Sequence, residues 1–207
     1  MRKLMLLFIV SVFIPSAKAQ WSDNNALYLS LDYNLGNYIG IDTNINYIYN
    51  ETYSFKIGYT GNLRTPKREP NDFSSGLPGL FTIGLIGPFD TMENYHIGAG
   101  RVIKLNAKGS IRANLSFGIG LTTIKEATNW QKYSGYTLDK NYSYQYHRYQ
   151  TISLIINPKI EFPLTRIYGL SVSPMVQINK DRTYFGIGIG QLLGVLRKRG
   201  TRKTSAE

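Results

Sequence analysis

The 207-residue chain carries 24 Lys and Arg against 13 Asp and Glu, a net charge of +11, with 16 Tyr, 20 Gly and no Cys. The lack of thiols excludes a disulfide framework and a lipid-anchored N-terminal cysteine. No stretch behind the N-terminus reaches the roughly 20 apolar residues that a membrane-spanning helix needs.

The N-terminus has the three parts of an export signal: Arg2 and Lys3, an apolar run from Leu4 to Ile14, and Ala17-Lys18-Ala19 as a cleavage site. Residues 1–19 are therefore expected to be removed, leaving Gln20 first in a single domain of 188 residues. Loss of Arg2, Lys3 and Lys18 lowers the net charge from +11 to +8. Export argues against nucleic acid as the partner of this charge, and seven of the positive residues are accounted for locally, five in the tail at 197–203 and Lys140 and Arg148 in a loop.

From there the chain alternates apolar and polar residues in eight segments, at 26–35, 38–49, 52–62, 92–105, 109–124, 149–162, 166–179 and 182–195. A period of two means strand, and each segment has the 9–11 residues of a tilted spanning strand. Turn residues fall between them at Gly36-Asn37, Asn50-Glu51, Asn106 to Gly109, Pro163 to Thr165 and Lys180-Asp181. Two connections are long, 63–91 and 125–148. With a periplasmic N-terminus both fall outside, together with 36–37 and 180–181, and only short turns fall inside, which is the outer-membrane pattern. The fold expected is all-β, an eight-stranded antiparallel up-and-down transmembrane barrel with two long extracellular loops over residues 20–196, followed by a basic tail at 197–207. The apolar segment 76–89 is read as an insertion in the second outer loop, a short helix or hairpin over the mouth, with a ninth strand as the alternative.

The phase of the alternation assigns faces. Leu27, Leu29, Leu31, Tyr33 and Leu35 face lipid, and so do Ile39, Ile41 and Ile45. Asp32, Asp42, Lys56, Arg112, Lys159 and Glu161 then point into the lumen as a charge network. A barrel of eight strands is filled by its own side chains, so these ions are expected to pair and plug it. Arg101 breaks the phase, and either a bulge at Gly98-Ala99-Gly100 turns it inward or it snorkels to an interface. Tyr33, Tyr38, Tyr59 and Phe185 are assigned to an outer aromatic girdle, and Tyr47, Tyr49, Tyr53, Phe162 and Tyr168 to an inner one.

No motif specifies chemistry. In Gly186-Ile187-Gly188-Ile189-Gly190 the glycines recur at period two and no helix follows, so they read as small lumen residues and not as a phosphate loop. His96 and His147, placed near the outer rim, have no spacing to a Ser and a carboxylate that selects a triad, and isolated histidines do not make a metal site. No catalytic residue, metal or cofactor is assigned. The aromatic and basic loop that includes Trp130, Tyr133, Tyr136 and Tyr144 suits stacking on a sugar or contact with a partner protein. The alternative is a hairpin that prolongs strands five and six, with tyrosines as ordinary β formers.

The export signal, the Tyr- and Asn-rich strands, Asn157-Pro158-Lys159-Ile160-Glu161-Phe162-Pro163 and the stretch Pro174 to Tyr184 resemble the small outer-membrane β-barrel proteins of Bacteroidetes-type bacteria. The resemblance implies location and fold and transfers no catalytic residue. Asp90-Thr91-Met92 resembles a short O-glycosylation signal of such bacteria. The chain departs from the common pattern where a basic tail follows Leu196. The function expected is non-enzymatic: a monomeric outer-membrane barrel in a structural, surface-display or complex-accessory role, with lipid around it and a surface glycan or outer-membrane protein as partner. The alternatives are a lipid- or peptide-hydrolysing barrel and a small-solute pore.

Overall fold

The computed structural model describes residues 24–76, 87–106, 109–132 and 140–196. The expected export signal, the basic tail and most of the 76–89 segment lie outside these residues. Eight strands run in chain order: β1 (Ala26–Gly36), β2 (Ile39–Tyr49), β3 (Tyr53–Arg64), β4 (Asp90–Lys104), β5 (Arg112–Lys132), β6 (Tyr142–Phe162), β7 (Tyr168–Ile178) and β8 (Thr183–Val195). Each pairs antiparallel with the next, and β1 with β8 closes the barrel.

The register sets its dimensions. The path from Leu27 through Tyr47, Phe55, Ala99, Phe117, Ile156, Val176 and Phe185 follows paired residues once round. It returns to β1 at Asn37, whose N–H donates to the Phe185 carbonyl at 3.2 Å, ten residues beyond the start. That stagger over eight strands corresponds to a tilt of about 40° and a backbone radius of about 8 Å, room for side chains alone.

The polarity of a water-soluble domain is reversed. Leu29, Ile45, Ile57, Ile97, Ile119, Leu154 and Ile189 are exposed, while Ser30, Asn44, Asn94, Thr122, Ser153 and Gln177 are buried. The expected faces of β1 and β2 are observed. Tyr38 differs: it is buried inside, in edge contact with Tyr184 and beneath the Arg64 guanidinium, and is no part of a girdle. Parity agrees with this place, since the even positions of β1 and β2 face the lumen, and the girdle assignment went by its aromatic ring.

The bulge considered at Gly98-Ala99-Gly100 is absent. Pairing of β4 runs unbroken on both sides, and Arg101 stays exposed on the outer face opposite Tyr53. It lies near the end of β4, where its long side chain can leave the apolar belt.

Local chemistry explains the irregular points. Asn50 and Glu51 both have positive φ, 50° and 52°, and Thr52 N–H donates to the Tyr49 carbonyl at 3.1 Å, a primed two-residue hairpin turn. By register Pro158 stands opposite Pro174, and the β6–β7 ladder is interrupted between the Ile156–Val176 and Ile160–Val172 pairs. Proline has no N–H to give, and Asn157 Nδ2 bridges the gap by donating to the Pro174 carbonyl at 3.1 Å.

The connection at 125–148 takes the alternative reading, a hairpin that prolongs strands five and six. β5 and β6 are 21 residues each, and their pairing continues to Lys132 and Tyr142, with a register shift between Thr128 and Gln131 and Asn129 at φ 54°. Beyond the apolar belt nothing selects hydrophobic alternation, yet Thr and Tyr still favour the pleated ladder. Thr91 also lies within the β4 ladder, between the buried Asp90 and Met92.

Candidate functional site

The interior is layered. At the end where β1 begins and β8 finishes, Ala26, Tyr28, Ile48, Val102, Leu192 and Leu196 form an apolar cluster. At the end of the long hairpin, Tyr38, Met92, Ile124, Ile155, Met175 and Tyr184 form a second. Alternation puts these residues in the lumen, and their position near strand ends gathers them into two groups.

Between the clusters lie all six charges that phase assigns to the lumen, each buried. Glu161 on β6 receives Arg112 Nε from β5 at 2.5 Å, the Tyr28 hydroxyl from β1 at 2.7 Å and Asn114 Nδ2 at 3.2 Å. Arg112 also donates to the Leu196 carbonyl at 2.8 Å, which ties the network to the end of β8. Asp32 on β1 receives Lys159 Nζ at 2.6 Å and the Ser171 and Ser173 hydroxyls at 2.9 and 3.3 Å. Lys159 and Glu161 are neighbours on one face of β6, but each pairs with a different strand.

Lys56 donates to Asn157 Oδ1 at 2.7 Å. Asp42 accepts from Thr60 and Asn44, both at 2.7 Å, and lies 3.9 Å from His96 Nε2. His96 is thus a lumen residue and not a rim residue: Nε2 lies 2.7 Å from Asn44 Oδ1 and Nδ1 lies 3.3 Å from Asn94 Nδ2. A neutral ring protonated on Nε2 satisfies both contacts. Tyr28, Thr60, Ser171 and Ser173 complete the network. They lie in the same phase as the charges, which is the signal that would have found them. Pairing a charge with hydrogen-bonding neighbours is the condition for keeping it out of water.

The glycines of β8 make space for this arrangement. A Cβ at Gly190 would stand 2.2 Å from Asp32 Oδ1, and one at Gly188 2.5 Å from Asn34 Oδ1. Side chains from β1 therefore lean over the glycine run, which serves packing.

Above the second cluster the hairpin end carries a further ionic tier. Asp90 accepts from Arg64 Nη2 at 3.2 Å and from the Lys67 and Ala127 N–H groups at 3.1 and 3.2 Å, and Arg182 Nε donates to Glu126 at 2.6 Å. A cavity of about 300 Å³ opens between Lys67, Arg68, Asp90, Glu126 and Arg182.

The candidate binding residues fall on the prolonged hairpin, where they meet the loop after β3. Trp130 packs against Phe73 and Tyr144 with ring centroids 5.3 and 5.1 Å apart. Asp72 accepts from the Tyr142 hydroxyl at 2.7 Å and pairs with Lys132, while Asn141 and Ser74 exchange hydrogen bonds. Hydrogen bonds from Lys132 and then Tyr142 hold the Asp72 carboxyl below the usual carboxylate range, and the same contact raises Lys132. Trp130 and Tyr142 thus spend part of their ring surface on joining loop to hairpin, while Tyr144 packs on Trp130 and Tyr146 within the hairpin. Tyr133 and Tyr136 lie outside the described residues. His147 is exposed and stacks 5.4 Å from Tyr149.

Comparison with solved structures gives distant likenesses to eight-stranded outer-membrane barrels. The Yersinia pestis outer membrane protein Ail, in a phospholipid bilayer nanodisc, is 14% identical with a TM-score of 0.47, over 82% of this chain and 98% of that one. Neisserial surface protein A is 11% identical with a TM-score of 0.45, over 82% and 95%. The N-terminal β-barrel domain of Pseudomonas aeruginosa OprF is 9% identical with a TM-score of 0.44, over 84% and 98%. No protein-family model matches the chain, and no curated protein matches it significantly.

Proposed function

We propose that this chain is a non-enzymatic outer-membrane barrel, closed along its axis by its own side chains, whose role lies in the surface it presents at the hairpin end. The observation that carries the reading is the inversion of polarity. A belt of exposed Leu, Ile, Phe and Tyr surrounds an interior of buried ions and amides, in which Lys159–Asp32 and Arg112–Glu161 are ion pairs and Lys56 and Asp42 are held by neutral partners, between apolar clusters at either end. In water that belt would be a large contiguous apolar patch, whereas in a bilayer it faces its natural solvent. The N-terminal export signal supports the same destination.

An open pore needs a continuous polar path, which Tyr38, Met92 and Tyr184 at one end and Tyr28, Leu192 and Leu196 at the other interrupt. A hydrolase of the triad type needs a histidine on a nucleophile, whereas His96 is engaged by two asparagines and His147 lies against the Tyr149 ring. The joined loop and hairpin form the presented surface, which suits a structural, display or accessory role toward a glycan or a membrane-protein partner.

The test is fractionation of a Gram-negative host that expresses the full chain, followed by electrophoresis with and without boiling and by conductance in planar bilayers. Recovery in outer membrane, a compact band that shifts on boiling and no large steady conductance are expected. Recovery as a soluble periplasmic protein overturns the location, and a large steady conductance overturns the closed lumen.

A further inference from the structure

On the outer surface near the hairpin end, the register sets Thr91, Lys125 and Arg148 side by side across β4, β5 and β6. Two cations directly opposite on one face of an antiparallel pair repel each other. Among the described residues neither takes part in an ion pair, and Asp90 and Glu126, the chain neighbours of Thr91 and Lys125, pair with Arg64 and Arg182. Glu93, one outward row nearer the belt, opposes Thr123 and pairs with neither cation. Lys125 Nζ lies 3.8 Å over the Tyr146 ring, which holds it at the rim.

Directly toward the belt from this pair lies an apolar groove of about 450 Å³, lined by Ile57, Tyr95, Ile97, Ile119, Leu121 and Ile152. A second of about 520 Å³ continues past Phe55, Phe117 and Leu154. Four residues of β5 separate Leu121 from Lys125, about 13 Å along a strand tilted by about 40° and so about 10 Å in depth, which the headgroup and interfacial part of a lipid spans.

We propose that this surface holds a phosphorylated lipid, with an acyl chain in the groove and its phosphate between Lys125 and Arg148. The site rests on the membrane-barrel reading above. The anion relieves the repulsion between the two cations, and the groove supplies what a free anion does not use. A second copy docked through the same face would bring two further cations to the interface, so charge favours the lipid.

The test compares wild type, K125Q/R148Q and the charge-retaining K125R/R148K in neutral detergent micelles, with bound lipid read by native mass spectrometry. The probes are bisphosphorylated lipid A, its phosphate-free form and phosphatidylcholine. Removing two surface cations is expected to weaken retention of the bisphosphorylated lipid by about thirty-fold. K125R/R148K should retain it, and the two lipids without net negative charge should not distinguish the three proteins. Equal retention of the bisphosphorylated lipid by wild type and K125Q/R148Q, both heat-modifiable, overturns the lipid site and leaves the barrel reading standing. Displacement by equimolar inorganic phosphate overturns the lipid as occupant. A wild-type chain that stays soluble without detergent and shows no heat-modifiable band overturns the barrel reading and this site with it.

Discussion

Two Lys–Asp pairs in this molecule have the same chemistry and opposite surroundings. Lys159 and Asp32 meet in the lumen with side chains 5% and 0% exposed, while Lys132 and Asp72 meet at the hairpin with 62% and 53% exposed. The inner pair has given up its hydration and depends on its partners, because an uncompensated buried charge is the costly state. The outer pair keeps water as a substitute and is screened by salt. Contact distance alone would rank them as equals; burial separates them.

The sharpest way to break the comparison is to remove one partner at each place. Lys159→Met leaves Asp32 buried without its cation, and a loss of about 3–5 kcal/mol is expected, read as a lower urea midpoint in liposomes or a lower temperature for conversion of the compact band. Adding Asp32→Asn to it should recover much of the loss. A double variant as unstable as the single one would mean that packing, and not the lone charge, sets the cost. Pairing by strand also directs the choice of double variants: Lys159 belongs with Asp32, and Arg112 with Glu161.

A smaller effect is expected where the inner pair is crowded and not cut. Gly190→Ala places a methyl 2.2 Å from Asp32 Oδ1 and should cost about 1–3 kcal/mol by the same assay. Gly109→Ala is the contrast, since a methyl there meets nothing nearer than 3.8 Å and only its φ of +62° resists the change. Equal losses at the two glycines would show that backbone strain outweighs crowding of the ion pair.

Asp72→Asn should leave the unfolding midpoint where it was and free the loop from the hairpin. The readout is Trp130 emission, with W21F removing the other tryptophan. The sign with pH follows from the lowered Asp72 carboxyl. A depressed native value means that its contribution is complete above the ordinary carboxylate range and fades as pH falls through the native value. Trp130 emission should therefore hold through mildly acidic pH and change only below that range, and the change should vanish in Asp72→Asn. The least perturbing experiment adds trypsin to intact cells. Lys132 lies in the ladder of β5 and Arg148 in that of β6, while Lys140 stands just before β6, so cutting is expected first at Lys140. Cleavage there only after lysis would reverse the proposed orientation.

Period-two alternation was enough to place the eight strands, the lumen phase and all six interior charges, because in a closed sheet the face of a residue depends only on its parity along the strand. Parity also gives Tyr38 the lumen, against its assignment to a girdle by residue type, but it says nothing of height in the barrel, as at His96. The partners could not be read either: Lys159 finds Asp32 127 residues away, and Arg112 finds Glu161 49 away. The second meeting follows from one register, since Arg112 and Glu161 stand directly opposite across β5 and β6. The first crosses the lumen from β6 to β1 and depends on the stagger of ten residues round the ring, a property of eight registers together. The prolonged hairpin was legible only as one of two readings of 125–148, and its junction with Asp72 and Phe73 was hidden, for a related reason. Beyond the apolar belt no bilayer imposes an alternating pattern, and strand pairing there is held by cross-strand and loop contacts between residues far apart in the chain.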